Sequence, residues 1–255
     1  MRGRLLPRGP RDLLWQIVLF CGAYWLYRLV RGQVWDQSAA AFEHARQIVD
    51  LERSLHLFIE PNVQSWAVNT GWVDDLGSWM YLNTHFVVTT CTLAFIYLFR
   101  NEHFYWVRNM FMVAMGLALV GYVAFPTAPP RLMTEFGFTD SVMDFTGVSS
   151  TSDVNALYNP YAAVPSMHVG FALMLAISVI RMTRHRWVKV VWAIYPLVVS
   201  AVVVVTANHW IFDAVTGAAV AVVAAVAAQT VFARARPGQW AWAPESALAA
   251  PARAG

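Results

Sequence analysis

Charged residues are scarce in this chain of 255 residues, of which only 13% are Asp, Glu, Lys or Arg. A soluble globular domain usually carries about 25%. Apolar and aromatic side chains (AVILMFWYC) make up 58% of the sequence. This composition disfavours the soluble fold classes and predicts an integral membrane protein.

Lysine and cysteine are also rare, and the net charge is small. Lys189 is the one lysine among 18 basic residues, and the formal net charge is only +3, which is too small to predict nucleic-acid binding. Cys21 and Cys91 lie in apolar runs and do not suggest a disulfide framework. No CxxC or HExxH pattern occurs, so the sequence predicts no metal site and no cofactor.

Six segments are apolar enough to cross a membrane as helices, which requires about 20 residues each. Their predicted bounds are 12–31, 77–99, 104–125, 164–182, 187–206 and 209–232. The expected fold is all-α, a six-transmembrane-helix bundle that forms one integral-membrane domain over residues 1–235. A disordered cytoplasmic tail is expected at 236–255. The first segment has an alternative interpretation as a signal peptide, with SAAA at 38–41 as its cleavage region.

The arginines predict an orientation. With the N-terminus in the cytoplasm, 13 of the 18 basic residues fall on the cytoplasmic side and 5 on the outer side, as the positive-inside rule requires. We therefore expect a multi-pass protein of the plasma membrane with both termini in the cytoplasm. The long segments 32–76 and 126–163 then face outward.

The first outer segment has apolar residues at helical spacing with charges between them. This pattern predicts one or two amphipathic helices that lie on the membrane surface or cap the bundle. Glu52 and Arg53 within it could form a local ion pair, and no functional role is assigned to them. The apolar positions are Ala41, Ala45, Ile48, Leu51, Leu55 and Phe58.

Two short polar stretches open the fourth and sixth segments. The first, over residues 159–168, ends in Ser166 and His168, and the second, over 207–213, contains Asn208, His209 and Asp213. The fifth segment returns the chain to the outer side, so both histidines are expected at the same membrane level. Asp213 follows His209 by four residues and shares its helix face.

This arrangement is suited to phosphoryl transfer. His209 is the candidate nucleophile, Asp213 the group that orients its ring, and His168 the general acid for the leaving alcohol. Two helix-start residues and one arginine of the outer loop are candidates to bind phosphate oxygens. These are Ser166, Asn208 and Arg131.

Each residue also has a structural interpretation. His168 could be a packing histidine, His209 and Asp213 a stabilising pair, Ser166 an N-cap, and Arg131 a contact to lipid headgroups. Asn208 could cap the sixth segment or position the neighbouring histidine. The joint pattern of two histidines and one aspartate on one membrane side favours catalysis.

The motif Pro165-Ser166-Met167-His168, followed by His209 and Asp213 in an HxxxD pattern, resembles the second and third signatures of the type-2 phosphatidic-acid phosphatase superfamily. The resemblance implies a six-helix core, with His168 as acid and His209 as nucleophile. The first signature, KxxxxxxRP, is absent, and Val202 and Val203 stand where the family has Ser-Arg. The sequence lacks the Ser-Arg element but keeps a proline-rich segment after the third span. In this respect it resembles most the inositol phosphorylceramide synthase and sphingomyelin synthase branch.

The expected function is therefore phosphoryl transfer on a lipid phosphate through a phosphohistidine. With water as acceptor the protein would be a lipid phosphatase, and with an alcohol acceptor it would be a headgroup phosphotransferase. An alternative from another class is a non-enzymatic lipid or anion transporter whose His/His/Asp cluster only binds. No nucleic-acid partner is expected, and the sequence does not predict the oligomeric state.

Overall fold

A computed structural model of the chain describes residues 6–32, 38–147 and 161–242. Within these ranges the regular structure is helical, apart from one isolated bridge between Thr127 and Ala162. The longer helices, in chain order, are α1 (Pro10–Gly32), α2 (Ser38–Ser54), α3 (Glu60–Thr70), α4 (Trp72–Trp79), α5 (His85–Phe99), α6 (Asn101–Ala124), α7 (Ser141–Thr146), α8 (Met167–Met182), α9 (Arg186–Val205) and α10 (Ile211–Ala227). The all-α class is thus confirmed for the described chain.

Two segments of π-helix extend these elements. Met80–Thr84 joins α4 to α5, and Ala228–Phe232 continues α10 into the short turn Ala233–Ala235. A last turn covers Pro237–Trp240, and two 3-10 turns cover Pro130–Leu132 and Thr134–Phe136.

Four helices in the described ranges are long and apolar enough to cross a membrane. They are Trp72–Phe99, Asn101–Ala124, Arg186–Val205 and Ile211–Ala235, which correspond to four of the six predicted spans. These helices indicate an integral membrane protein. The count of six stays a prediction, because α1 is not among the four and α8 is too short. The 16 residues of α8 extend about 24 Å, against roughly 30 Å of hydrocarbon.

The bundle is built around α8, which packs against α9 and α10, while α6 packs against both α10 and α1. Its core contains large side chains of α6 and α8 with alanines of α10 opposite them. Large apolar side chains cover the outer faces, and Phe86, Trp187 and Leu197 are each about 70% exposed, at 73%, 70% and 68%. Such an exterior suits a lipid environment.

The amphipathic helix predicted after the first span exists as α2, but its buried face differs from the predicted one. Ala41, Ala45 and Ile48 are buried as expected, whereas Leu51 and Leu55 are exposed. The position that continues the stripe is Glu52, which is 2% exposed. At 3.6 residues per turn, the buried residues of α2 lie within an arc of about 100°, and Leu51 lies about 110° from the middle of that arc. Leu55 lies beyond the end of α2.

Two other predicted regions, the second outer loop and the C-terminal tail, lie partly outside the described residues. In the second outer loop, the polar run at 149–153 and Pro160 lie outside the described residues. In the predicted tail, the structure describes the chain as far as Trp242, whose ring stacks on His103 at 4.0 Å between centroids. The beginning of the tail therefore packs against α6, and residues 243–255 lie outside the description.

Candidate active site

His209 and Asp213 form a buried pair at the start of α10. The His209 Nδ1 atom lies 3.1 Å from Asp213 Oδ2, and Asp213 has no exposed surface. Asp213 Oδ2 also accepts the backbone N–H of Trp210 at 3.0 Å, which holds the carboxylate in place. A protonated Nδ1 donating to this carboxylate directs Nε2, the opposite nitrogen, away from the aspartate.

The segment that carries His209 is anchored on both sides. Trp210 is fully buried and donates from its indole Nε1 to the carbonyl oxygen of Ala128 at 3.0 Å. The backbone N–H groups of Asn208 and His209 both donate to the carbonyl oxygen of Val203, at 2.9 and 3.1 Å. These bonds form a tight turn between α9 and α10 that fixes the position of the histidine.

His168, the second residue of α8, lies beside His209, with 5.7 Å between ring centroids. The two helix starts are joined directly, because the Ser166 backbone N–H donates to the Asp213 carbonyl oxygen at 3.0 Å. Gly217 lies against the Ser166 backbone so closely that any added Cβ would overlap the Ser166 carbonyl oxygen. The structure therefore brings the three predicted catalytic residues together at one end of the bundle.

Ser166 precedes α8, and its side chain makes no capping bond. Its backbone N–H is bonded to Asp213, so that group is not directed at a ligand. Its hydroxyl is buried and has no hydrogen-bond partner among the described residues. Ser166 has two hydrogen-bond donors, its backbone N–H and its hydroxyl, and the hydroxyl is the one available to a bound phosphate oxygen.

Arg131 lies next to the turn that carries His209, in the loop after α6. Its guanidinium donates to Asp140 Oδ2 at 3.1 Å and to Asn208 Oδ1 at 2.8 Å. Its backbone N–H donates to the Ala207 carbonyl oxygen at 2.8 Å. Arg131 and Asn208 are thus joined to each other beside His209, instead of acting as separate groups.

Arg108 in α6 is remote from this site. It is buried in the second turn of α6, where it donates to Asn109 and Gln16. The other end of α6 reaches the site through the Tyr122 hydroxyl, which donates to the Pro165 carbonyl oxygen at 3.1 Å. The intervening 14 residues of helix correspond to about 21 Å.

Sequence reasoning missed two aromatic neighbours of His168. The Tyr81 ring stacks on it at 4.6 Å, and the His85 ring lies at 4.8 Å. Both come from the π-helical junction between α4 and α5, a helix form that recurs at functional sites. His85 belongs to no sequence motif, and no local pattern predicts its proximity to His168.

A small pocket of about 10 Å³ lies beside His168. Its lining includes Val202 and Val203, the two residues that stand where the family motif has Ser-Arg. This wall is therefore apolar, and it offers no positive charge to a phosphate on that side. Arg131 lies near the opposite end of the α9–α10 turn, joined to Asn208.

Among the described residues, no cluster of three or more His, Cys, Asp or Glu side chains is arranged to hold a metal ion. The chemistry available to the site from its own side chains is that of two imidazoles, a carboxylate and a guanidinium.

A family model described as the PAP2 superfamily matches residues 46–227, a range that contains all of these groups. No match was found among curated proteins or solved structures.

Proposed function

Since the chain belongs to the PAP2 superfamily, whose membership suggests phosphatase or phosphotransferase activity, we propose that it transfers phosphoryl groups on lipid phosphates within the membrane. The observation that carries this proposal is the position of His168, 5.7 Å from the ring of a histidine that is itself paired with a buried aspartate.

In the proposed first step, His209 Nε2 attacks phosphorus and forms a P–N bond. The bond from phosphorus to the leaving alcohol oxygen breaks, the electron pair stays on that oxygen, and His168 protonates it. Asp213 stabilises the positive charge that develops on the attacking imidazole.

In the second step an acceptor oxygen attacks the phosphohistidine. His168, now neutral, takes the acceptor's proton, the P–N bond breaks, and the electron pair returns to His209. Water as acceptor gives a phosphatase, and an alcohol gives a headgroup phosphotransferase of the inositol phosphorylceramide synthase type. Both outcomes share the first step, so the residues named here serve either one.

We place the site on the outer side of a plasma membrane, with both termini in the cytoplasm. The support is the distribution of arginine along the sequence, 13 basic residues against 5, interpreted through the positive-inside rule. The substrate is then a lipid of the outer leaflet that presents its phosphate to the ends of α8 and α10.

The proposal is tested with purified protein and a panel of lipid phosphates, with and without alcohol acceptors such as inositol or a long-chain lipid alcohol. We expect inorganic phosphate to be released, or the labelled phosphate-bearing group to appear on the acceptor. Because the proposed steps use only side chains, activity should survive a chelator. Absence of both products across the panel would favour the transporter interpretation, and loss of activity with a chelator would contradict the metal-free mechanism.

Arg131 is proposed to bind the phosphate oxygens of the substrate. Charge-assisted hydrogen bonds contribute about 1.5–3 kcal/mol, so Arg131→Ala is expected to raise KM on the order of tenfold or more. Asp140→Asn removes the ion-pair partner while it keeps the guanidinium and the cap of α7, and it should leave KM near the wild-type value. Equal KM changes in both variants would show that Arg131 only stabilises the loop.

A further inference from the structure

Two glutamates from the amphipathic helices cap the start of α10. The Glu52 Oε1 atom accepts the backbone N–H of Phe212 at 2.8 Å, and Glu60 Oε1 accepts that of Ile211 at 3.0 Å. Both side chains are buried, at 2% and 0% exposure. A helix start leaves its first four N–H groups without intrahelical partners, so these carboxyl groups complete the first turn of the helix that follows His209.

The second oxygen of each carboxyl group is also buried. Glu52 Oε2 and Glu60 Oε2 have no hydrogen-bond partner in the described chain. The two carboxyl groups are neighbours, because their Oε1 atoms accept the N–H groups of the adjacent residues Phe212 and Ile211. Two carboxylates contain no hydrogen to donate, and their charges repel. A single proton would supply the missing donor and remove one of the two buried charges.

The surrounding charges favour that proton. Glu60 from α3 and Asp213 from α10 are the acidic groups that face Glu52, and His209 lies behind Asp213. Burial raises the pKa of Glu52 to about 9, with the hydrogen bond to Glu60 and its charge as the next causes. The positive end of the α10 dipole, roughly half a unit charge, is too small to compensate three ionised acids.

We propose that Glu52 and Glu60 share one proton at neutral pH, and that the pair is a positioning element for His209. The pair fixes the first turn of α10 to α2 and α3, and with it the His209–Asp213 geometry. The proton keeps the negative charge beside Asp213 at one unit, so the aspartate remains the dominant partner of the imidazole. The effect of the pair on activity rests on the proposed function. The existence of the shared proton does not depend on that function.

The first test is infrared spectroscopy of the purified full-length protein at pH 7. We expect the carbonyl stretch of a buried protonated carboxyl group, which is lost in Glu52→Gln and in Glu60→Gln. The matched control is Glu43→Gln, an exposed glutamate on the same helix with a side-chain exposure of 60%, which should keep the band. A wild-type spectrum without the band would overturn the shared proton.

The second test is thermal stability between pH 5 and 9. The pKa of Glu52 is raised from 4.5 to about 9 in the folded chain, so the unfolded chain ionises first as pH rises. The stabilising contribution is therefore complete below about pH 4.5 and is lost as pH rises to about 9. We expect the Tm of the wild type and of Glu43→Gln to fall across this range relative to Glu52→Gln. Parallel curves for all three proteins would contradict the proposal.

The third test is the alkaline limb of the rate profile, measured with a substrate whose good leaving group needs no proton from His168. Once the shared proton is lost above about pH 9, the two carboxylates repel, the first turn of α10 loosens, and kcat should fall about tenfold per pH unit. In the Glu52→Gln variant the side-chain amide donates to Glu60 at every pH, so the alkaline limb of its rate profile should move to higher pH. The Glu52→Ala variant should lose most activity at every pH. If the alkaline limb of Glu52→Gln lies at the same pH as that of the wild type, the two glutamates only cap α10 and their shared proton does not position His209. If no substrate is turned over at all, the proposed function fails while the spectra and melting curves still decide the shared proton.

Discussion

Replacing His209 with Ala is expected to abolish phosphoryl transfer, lowering kcat by on the order of 10³-fold or more, because the nucleophile itself is removed. The measurement is turnover of a labelled lipid phosphate by wild type and variant in the same detergent or lipid vesicles. The matched control is His185→Ala, since His185 is an exposed histidine before α9. The control should retain wild-type turnover.

Covalent labelling separates the two histidines. Wild type quenched during turnover should carry acid-labile, alkali-stable phosphate on His209, and His209→Ala should carry none. His168→Ala should still carry label on His209 when the substrate has a good leaving group, because it lacks the acid for the alcohol and not the nucleophile. Label on His168, or full turnover by His209→Ala, would reverse or exclude the assigned roles.

Gly217→Ala is expected to have the second large effect, although Gly217 contains no reactive group. A Cβ at this position would overlap the carbonyl oxygen of Ser166, which is backbone and cannot rotate away. The start of α8 must then move from α10, which separates His168 from His209. We expect activity to be lost and stability to fall by about 1–3 kcal/mol, the usual cost of overpacking.

The control for this substitution is Gly116→Ala in α6, where a Cβ would meet no atom within 4 Å. Alanine there should leave activity unchanged and stabilise the helix slightly, by about 0.5–1 kcal/mol at most. Thermal unfolding and turnover of the two variants provide the comparison. Wild-type behaviour of Gly217→Ala would mean that α8 and α10 are farther apart in the membrane than described here.

The local part of the site was predictable from the sequence. An HxxxD spacing places His209 and Asp213 on one helix face, because four residues make about one turn. The proximity of His168 followed from topology alone, since one intervening helix returns the chain to the same side. Both arguments need only helix geometry and the number of crossings.

The surroundings of the site could not be predicted in the same way. Glu52 and Glu60 reach α10 from positions 160 and 151 residues earlier in the chain, and no periodicity encodes such a pairing. Glu52 and Arg53 are adjacent in sequence and could form a local ion pair, but the Arg53 guanidinium lies over the ring of Phe58 at 4.9 Å. Tertiary contacts override a local charge pair when the helix face that is buried differs by one position from the predicted one.

The distance along the chain between the two glutamates and the helix they cap also imposes an order on biosynthesis. At about 5–20 residues per second, the 151 residues between Glu60 and Ile211 take about 8–30 s to synthesise. During that interval both glutamates have been translated and α10 has not, so α10 enters a surface that already displays the acceptors for its amides. A ribosome-stalled chain that stops before position 211 would therefore retain the acids in a hydrated, protease-accessible layer, and release of α10 would close that layer and complete the site in one event.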